Sequence, residues 1–200
     1  MKCFDQIPDA GASFGMNLYV SIPSITHPAQ PFDGNWYPGH VMISIYKYNA
    51  NQTIRQTIGF YPNSIANALG FSVDSKIVND GDPQKTHEYN ASIIMNGLTA
   101  SEFNTVLNTL HTNSHRQCNL FNSYNCSDFA IDAFNSVRIT NKLIPLPYDP
   151  RISQYLPKIP SSPQATYMKL LVMKNNNSPE SANIEIGVKK LVELSKGACQ

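Results

Sequence analysis

The sequence lacks long apolar runs, long basic runs and a recognisable signal, and each of the first two absences argues against a class of protein. No stretch approaches the roughly 20 apolar residues of a membrane-spanning helix, and Met1 to Asp5 lacks the apolar core of a secretory signal. No basic run exceeds Lys189-Lys190, and 15 Lys and Arg stand against 14 Asp and Glu. We therefore expect no transmembrane segment and no nucleic-acid partner. Localisation stays open, because a protein exported by a specialised secretion system also lacks a visible signal.

Cysteine is scarce, and its spacing does not indicate a metal site. The chain has 4 cysteines, none of them in a CxxC pair or at zinc-finger spacing to histidine. We therefore expect no structural metal, and nothing implies an organic cofactor. Two disulfides in three alternative pairings are open to the chain, but 200 residues do not need them for a stable core. The cysteines are Cys3, Cys118, Cys126 and Cys199.

Length and proline content set the expected domain organisation. A chain of 200 residues with 42% hydrophobic residues supports one sizeable core. We expect a main domain in residues 1–145, followed by a Pro-rich wrap and C-terminal helix in residues 146–200 that belong to the same unit. The prolines exclude a continuous helix or central strand in the wrap. They are Pro145, Pro147, Pro150, Pro157, Pro160 and Pro163.

Alternating apolar residues predict an antiparallel sheet in the first half of the chain. Residues 15–22 and 41–46 have the period of strands, and the polar turn 49–52 leads into a further strand that ends at Pro62. These last two strands are predicted to form a hairpin. A further strand is expected within residues 87–95.

Capping residues and helical spacing predict the helices. Thr99 and Glu102 form a capping-box pattern before a helix that ends near His111. A second helix is expected from Cys126 to about Val137, with an apolar stripe that packs on the sheet. A short apolar run occupies residues 167–173, and a final helix is expected over residues 179–196.

Cys126 stands where a helix N-terminus can activate a thiol. Asn125 is a favoured N-cap, and Asp128 at the third helical position suits the positive end of the helix dipole. A helix N-terminus lowers a thiol pKa, especially beside an imidazolium, and its free N–H groups can donate to an oxyanion. The alternative is that Cys126 is a small buried hydrophobe, as most free cysteines are.

His40 is the histidine best placed to act as a base for Cys126. It follows Gly39, starts a strand and lies by alternation on the less apolar strand face, with Ser44 and Tyr46. The alternative is a surface histidine at a strand end. The other histidines have no such feature, and the i,i+4 pair among them lacks a third metal ligand. They are His27, His87, His111 and His115.

Three short stretches form a pattern in combination. They are Gly39-His40 heading a strand, Gly59-Phe60-Tyr61-Pro62 ending the next strand, and Asn125-Cys126-Ser127-Asp128-Phe129-Ala130 opening a later helix. Together they resemble the circularly permuted NlpC/P60-like proteins of the papain-like superfamily, in which the histidine strand precedes the cysteine helix. The resemblance covers about residues 15–139 and is greatest to bacterial members, some of which are secretion-system effectors.

The resemblance implies a fold and the two central catalytic roles. The fold is α+β and papain-like, with the Cys126 helix packed across a central antiparallel sheet. Cys126 is then the nucleophile, and His40 is the general base that later protonates the leaving group. The family places a polar third residue on the strand after the histidine, and Tyr61 is our prediction for it. Gln56, on the opposite strand face, and Asn63, just past the strand, are the other candidates.

Substrate contacts are predicted next to these residues. Tyr124 and Asn125 are expected to line the cleft, although Asn125 is first of all a helix cap. Trp36, on the loop before His40, borders a substrate groove or equally anchors its loop.

The implied reaction is cleavage of an amide bond in a peptide or peptidoglycan-like substrate by thiol-mediated acyl transfer to water. One alternative is a thiol acyltransferase or lipid esterase, which needs an apolar entrance. The other is a non-catalytic papain-like binding module, with the Pro-rich region contacting a partner. A disulfide between Cys118 and Cys126 would favour the module. For an effector toxin, the expected protein partner is an immunity or inhibitor protein that covers the cleft.

Overall fold

Strands from both halves of the chain form one sheet in the computed structural model, which describes residues 2–30, 37–85, 87–120, 123–146, 161–197 and 199. The strands are β1 (Ser13–Ser21), β2 (His40–Tyr48), β3 (Thr53–Pro62), β4 (Ser75–Asn79), β5 (Glu88–Leu98) and β6 (Ile184–Leu191). They pair antiparallel in the order β4-β3-β2-β1-β5-β6. The predicted hairpin is β2-β3, with Met42 opposite Gly59. The α+β class and the central antiparallel sheet are confirmed.

Helices cover one face of this sheet. They are α1 (Ile65–Ala68), α2 (Ala100–Asn113), α3 (Cys126–Asn135) and α4 (Pro163–Asn175), with 3-10 turns at Lys2–Gln6 and Ser181–Asn183. The predicted capping box at Thr99 and Glu102 begins α2. Helix α3 contacts β1, β2 and β3, and its Phe129 and Phe134 share a buried core with Val41 of β2. Burial of this apolar surface, at about 25 cal/mol per Å², fixes α3 on the sheet.

The expected C-terminal helix over residues 179–196 is wrong, because this segment contains β6. Ile184 and Val188 satisfy a helical spacing, but Ile184, Ile186 and Val188 also alternate as a strand does. The free edge of β5 supplies backbone partners that decide between the two patterns. A register shift opposite Asn90 is accommodated by Gly187, at φ +70°.

The other face of the sheet is crossed by the end of the chain, residues 192–197, which we call the C-terminal strap. Val192 packs in a second buried cluster with Tyr19 and Met42. Lys196 then exchanges two backbone hydrogen bonds of 2.9 Å with Arg55 of β3. Just beyond the strap, a disulfide joins Cys199 to Cys3 with the Cα atoms 4.9 Å apart.

Other expectations meet the structure only in part. The apolar run at residues 167–173 lies within α4. Most of the Pro-rich wrap, residues 147–160, lies outside the described residues. Within the described ranges, no helix combines the length and the apolar character needed to cross a membrane.

Candidate active site

The N-terminus of α3 is built by the residues that precede and follow Cys126. Asn125 Oδ1 accepts hydrogen bonds from the backbone N–H groups of Ser127 at 2.8 Å and Asp128 at 3.4 Å. Asp128 Oδ2 in turn accepts from the Asn125 N–H at 3.1 Å, which completes a capping box. The predicted cap is confirmed, and it fixes Cys126 in the first turn of the helix.

His40 is fixed in place by the glycine before it. Gly39 has φ +83°, a conformation that disfavours other residues, and a Cβ there would lie 2.6 Å from the Ser21 carbonyl oxygen. His40 then begins β2 and pairs with Ser21 of β1. Only 5% of His40 is exposed, so its imidazole is held away from bulk water.

Cys126 and His40 meet where α3 reaches the start of β2. The thiol and the imidazole share a hydrogen bond, and the Val41 N–H donates to the sulfur. Burial alone would raise the pKa of the Cys126 thiol, but the His40 charge and these hydrogen bonds lower it. Burial alone would likewise lower the pKa of His40, but the Cys126 thiolate, followed by Asp80, raises it. These opposite shifts favour a thiolate–imidazolium pair.

Asp80 contacts the far side of the imidazole and was not anticipated from the sequence. His40 Nε2 lies 3.1 Å from Asp80 Oδ2, which leaves Nδ1 as the nitrogen available to Cys126. The carboxylate is fully buried. A buried carboxylate on one ring nitrogen fixes the orientation of a histidine and stabilises its protonated form. Asp80 is therefore the acceptor on the imidazole of His40.

Tyr61 and His87 complete the surroundings of Asp80. The Tyr61 hydroxyl donates to Asp80 Oδ1 at 2.9 Å, and its ring lies over His40 with the centroids 4.4 Å apart. His87 Nε2 also approaches Asp80 Oδ1, at 3.4 Å. Tyr61 thus touches both groups, but it binds the carboxylate and not an imidazole nitrogen. A direct catalytic role for Tyr61 stays a prediction.

The other candidates for the third residue lie elsewhere. Gln56 is buried, and its Nε2 donates to the carbonyl oxygen of Gly197, the last residue of the strap, at 3.5 Å. Asn63 is exposed and its N–H donates to the Asp74 carbonyl oxygen at 2.8 Å. Neither side chain has a hydrogen bond to His40 among the described residues.

Gly59 leaves the space in which His40 and Asp80 meet. A Cβ at this position would collide with both Asp80 Oδ2 and His40 Nε2, the two atoms of their hydrogen bond. Gly59 lies opposite Met42 in the β2-β3 hairpin, within the Gly59-Phe60-Tyr61-Pro62 stretch singled out in the sequence. A glycine is required here because the Asp80 carboxylate and the His40 imidazole occupy the space that a side chain would need.

One backbone donor remains available at the end of α3. Asn125 engages the N–H groups of Ser127 and Asp128, whereas the Cys126 N–H donates to no acceptor in the described parts of the chain. An N–H beside a thiol that has no acceptor among the described residues is suited to bind an oxyanion. Of the first-turn N–H groups named here, only that of Cys126 has no acceptor among the described residues, so it is the candidate donor to an oxyanion.

The predicted substrate contacts have different environments. Tyr124 is 7% exposed, and its hydroxyl donates to Asp132 Oδ2 at 3.1 Å, so it packs within the fold. Asn125 is buried, and its Nδ2 donates to the Ser161 carbonyl oxygen at 2.8 Å. Trp36 lies outside the described residues. Their contacts with a substrate stay predictions.

An open cavity of about 370 Å³ adjoins the His40 end of the sheet. Ser21, the partner of His40 in the β1-β2 pairing, lines it together with Ile22, Ile25, Tyr37 and Glu88. It offers both apolar and charged surface beside Ser21, the residue that pairs with His40.

The described residues include no group of three or more potential metal ligands. His111 and His115, spaced i,i+4, place their rings 5.3 Å apart but gain no third ligand there. Cys118 and Cys126 are both free thiols.

Comparisons with known proteins found no relative of this chain. No protein-family model, curated protein or solved structure matches the chain.

Proposed function

We propose that this protein is a cysteine hydrolase that cleaves an amide bond in a peptide or in peptidoglycan. The carrying observation is that Cys126, at a helix N-terminus, meets the imidazole of His40, whose other nitrogen is held by the buried Asp80. A nucleophile, a base and an orienting carboxylate in this sequence of contacts are typical of acyl-transfer enzymes.

A circularly permuted papain-like fold of the NlpC/P60 type is part of the proposal. His40 begins β2 and Cys126 begins the later α3, which is the chain order of the permuted proteins. The packing of α3 on an antiparallel sheet supports the same assignment.

In the first half-reaction, the Cys126 thiolate attacks the carbonyl carbon and a carbon–sulfur bond forms. The carbonyl oxygen becomes an oxyanion, for which the Cys126 N–H is the available donor. The carbon–nitrogen bond then breaks, and the leaving amine takes the proton of the His40 imidazolium. A thioester to Cys126 remains.

In the second half-reaction, water attacks the thioester carbonyl carbon. His40, now neutral, takes a proton from this water, and the carbon–sulfur bond breaks to regenerate the thiolate. Asp80 stabilises the imidazolium that is present before the first half-reaction and forms again in the second, without itself accepting the proton.

The test is hydrolysis of a panel of peptidoglycan fragments and short peptides, with products identified by mass spectrometry. We expect cleavage by the wild type and by Cys118→Ala, and loss of cleavage by at least about 10⁴-fold in Cys126→Ala. A covalent acyl adduct on Cys126 should be detectable by intact mass. Cleavage that persists in Cys126→Ala would exclude the proposed nucleophile.

An acyl ester or lipid substrate is a second candidate, supported by an exposed apolar segment that follows β3. Ile65 is 67% exposed and Phe71 is 74% exposed, within a stretch, residues 63–73, that has no charged side chain. The segment contacts the region before α3, since the Leu120 N–H donates to the Ala68 carbonyl oxygen at 3.0 Å. Faster turnover of long-chain thioesters or esters than of any amide in the panel, lost in Phe71→Ser, would favour this candidate.

The non-catalytic alternative has less support. The disulfide between Cys118 and Cys126 that would favour a binding module is not formed, since both thiols are free. The Cys3–Cys199 disulfide is typical of an oxidising compartment, and it therefore supports a hydrolase that acts outside the cytoplasm. An inhibitor or immunity protein that covers Cys126 stays the expected protein partner.

A further inference from the structure

The C-terminal strap lies against the loop that presents Asp80 to His40. The Ser195 N–H donates to the Gly81 carbonyl oxygen at 2.9 Å, and Ser195 Oγ donates to Asn79 Oδ1 at 2.6 Å. Asn79 and Gly81 are the immediate neighbours of Asp80 in the chain. The strap therefore holds the backbone on both sides of this carboxylate.

Further hydrogen bonds link both Ser195 and Asp80 to Thr57 of β3. The Thr57 N–H donates to Ser195 Oγ at 3.0 Å, while the Thr57 carbonyl oxygen accepts from the Asp80 N–H at 2.9 Å. Asn79 Oδ1 also accepts from the Gly81 N–H at 3.1 Å. The Ser195 hydroxyl thus both accepts and donates, and the backbone of Asp80 is fixed to the strand that also carries Gly59.

The strap packs against Gly81 so closely that no side chain fits at that position. A Cβ at Gly81 would lie 2.6 Å from the Ser195 nitrogen and 2.7 Å from its Oγ, so any larger residue would move the strap away from the loop. The other end of the same loop is bound too, since the Val192 N–H donates to the His87 carbonyl oxygen at 2.9 Å. His87 is the second histidine at Asp80.

We propose that Ser195 is a positioning residue for the Cys126–His40 pair, because it holds Asn79 and Gly81 and thereby fixes the Asp80 carboxylate against His40. The inference rests on the proposed function. Ser195 acts through Asp80 and touches neither the thiol nor the imidazole. The Cys3–Cys199 disulfide, just beyond the strap, anchors the end of this positioning element.

The first readout is the pKa of His40, measured by NMR titration of histidine-labelled protein. Four groups face the imidazole and are present in every variant compared: the Cys126 thiolate from α3, Asp80, Tyr61 from β3 and His87 before β5. We expect Ser195→Ala and Gly81→Ala each to lower this pKa by about one unit, because Asp80 is held less firmly. Gly70→Ala is the matched control, since a Cβ at Gly70 meets nothing within 4 Å.

The second readout is the rate of Cys126 alkylation at pH 6. We expect a threefold to tenfold decrease, about the effect of one pKa unit, in Ser195→Ala and Gly81→Ala. Ser195→Thr, which keeps the hydroxyl, should restore most of the rate. The double variant Cys3→Ser, Cys199→Ser should show the same direction of change, because the strap loses its anchor.

The outcomes separate this inference from the proposed function. If wild-type Cys126 is not alkylated at pH 6, the hydrolase proposal itself fails. If wild-type Cys126 is alkylated and both strap variants keep the wild-type His40 pKa and rate, Ser195 has no positioning role. A loss of thermal stability in the strap variants without a change in either readout would also overturn the inference.

Discussion

Cys118 and Cys126 are both buried free thiols, yet their surroundings shift their pKa values in opposite directions. Cys118 pairs through its backbone with Val73, and burial, followed by the nearby negative groups, raises its pKa to about 12. Cys126 is also buried, but His40 and the Val41 N–H lower its pKa. Burial alone therefore does not decide the pKa of a cysteine in this fold, because a helix N-terminus beside a held imidazole lowers it. The following predictions test this difference.

The largest effect is expected when the imidazole is removed. His40→Ala should slow amide cleavage by about 10²- to 10⁴-fold, because both the base and the charge that stabilises the thiolate are lost. It should also make Cys126 as unreactive towards iodoacetamide at pH 6 as Cys118. Steady-state kinetics and labelling measure these two effects. His27→Ala, which changes an exposed histidine, is the control and should leave both unchanged.

A smaller loss is expected when Asp80 loses its charge. Asp80→Asn should slow cleavage by about 10²-fold, because the imidazole is no longer held in its productive orientation. In the proposed mechanism the pair is active above the pKa of Cys126 and below the pKa of His40, and Asp80 raises the pKa of His40. The alkaline limb of the pH profile should therefore move to lower pH in this variant. An unchanged alkaline limb would show that Asp80 does not act on His40; Asp82→Asn is the control.

Gly59→Ala should separate His40 from Asp80 without changing either side chain. The added methyl group would stand between Nε2 and the carboxylate, so we expect about a tenfold loss of cleavage and a lower pKa of His40. Gly70→Ala, in open space, should match the wild type. Equal kinetics in the two variants would mean that this close approach is not required.

The smallest effect is expected at the helix cap, where two matched sites are available. Asn125→Ala and Thr99→Ala each remove a capping box and should each lower the free energy of unfolding by about 1 kcal/mol. Only Asn125→Ala should also change Cys126 labelling, by a few-fold, because only that cap holds the first turn of α3. Denaturant unfolding and alkylation report the two quantities. Equal labelling in both variants would leave the cap a purely structural role.

Local signals predicted the half of the site that depends on local structure. The alternation before Tyr46, the turn at 49–52 and the Asn125 cap each act within a few residues, and all are present. The position of His40 followed from Gly39, and that of Cys126 from the cap. Short-range patterns were sufficient because each of these residues is placed by its own strand or helix.

The positions of Asp80 and of the C-terminal strap depend on strand pairing between distant parts of the chain. Asp80 reaches His40 only because β4 pairs with β3, and β4 is a short edge strand whose mostly exposed residues show no alternation. Its available signal is Ile77-Val78 followed by the turn residues Asn79-Asp80-Gly81. The strap could not be predicted for another reason. The apolar residues before it fit both a helix and a strand, and pairing with the edge of β5 stabilises the strand.

The most direct test of the Cys126–His40 pair is the pH dependence of iodoacetamide labelling at Cys126, with Cys118 in the same protein as the internal standard. We predict rapid labelling of Cys126 below pH 7, no labelling of Cys118 there, and loss of the Cys126 signal in His40→Ala. Labelling of Cys126 that is no faster than that of Cys118 at every pH would contradict the account.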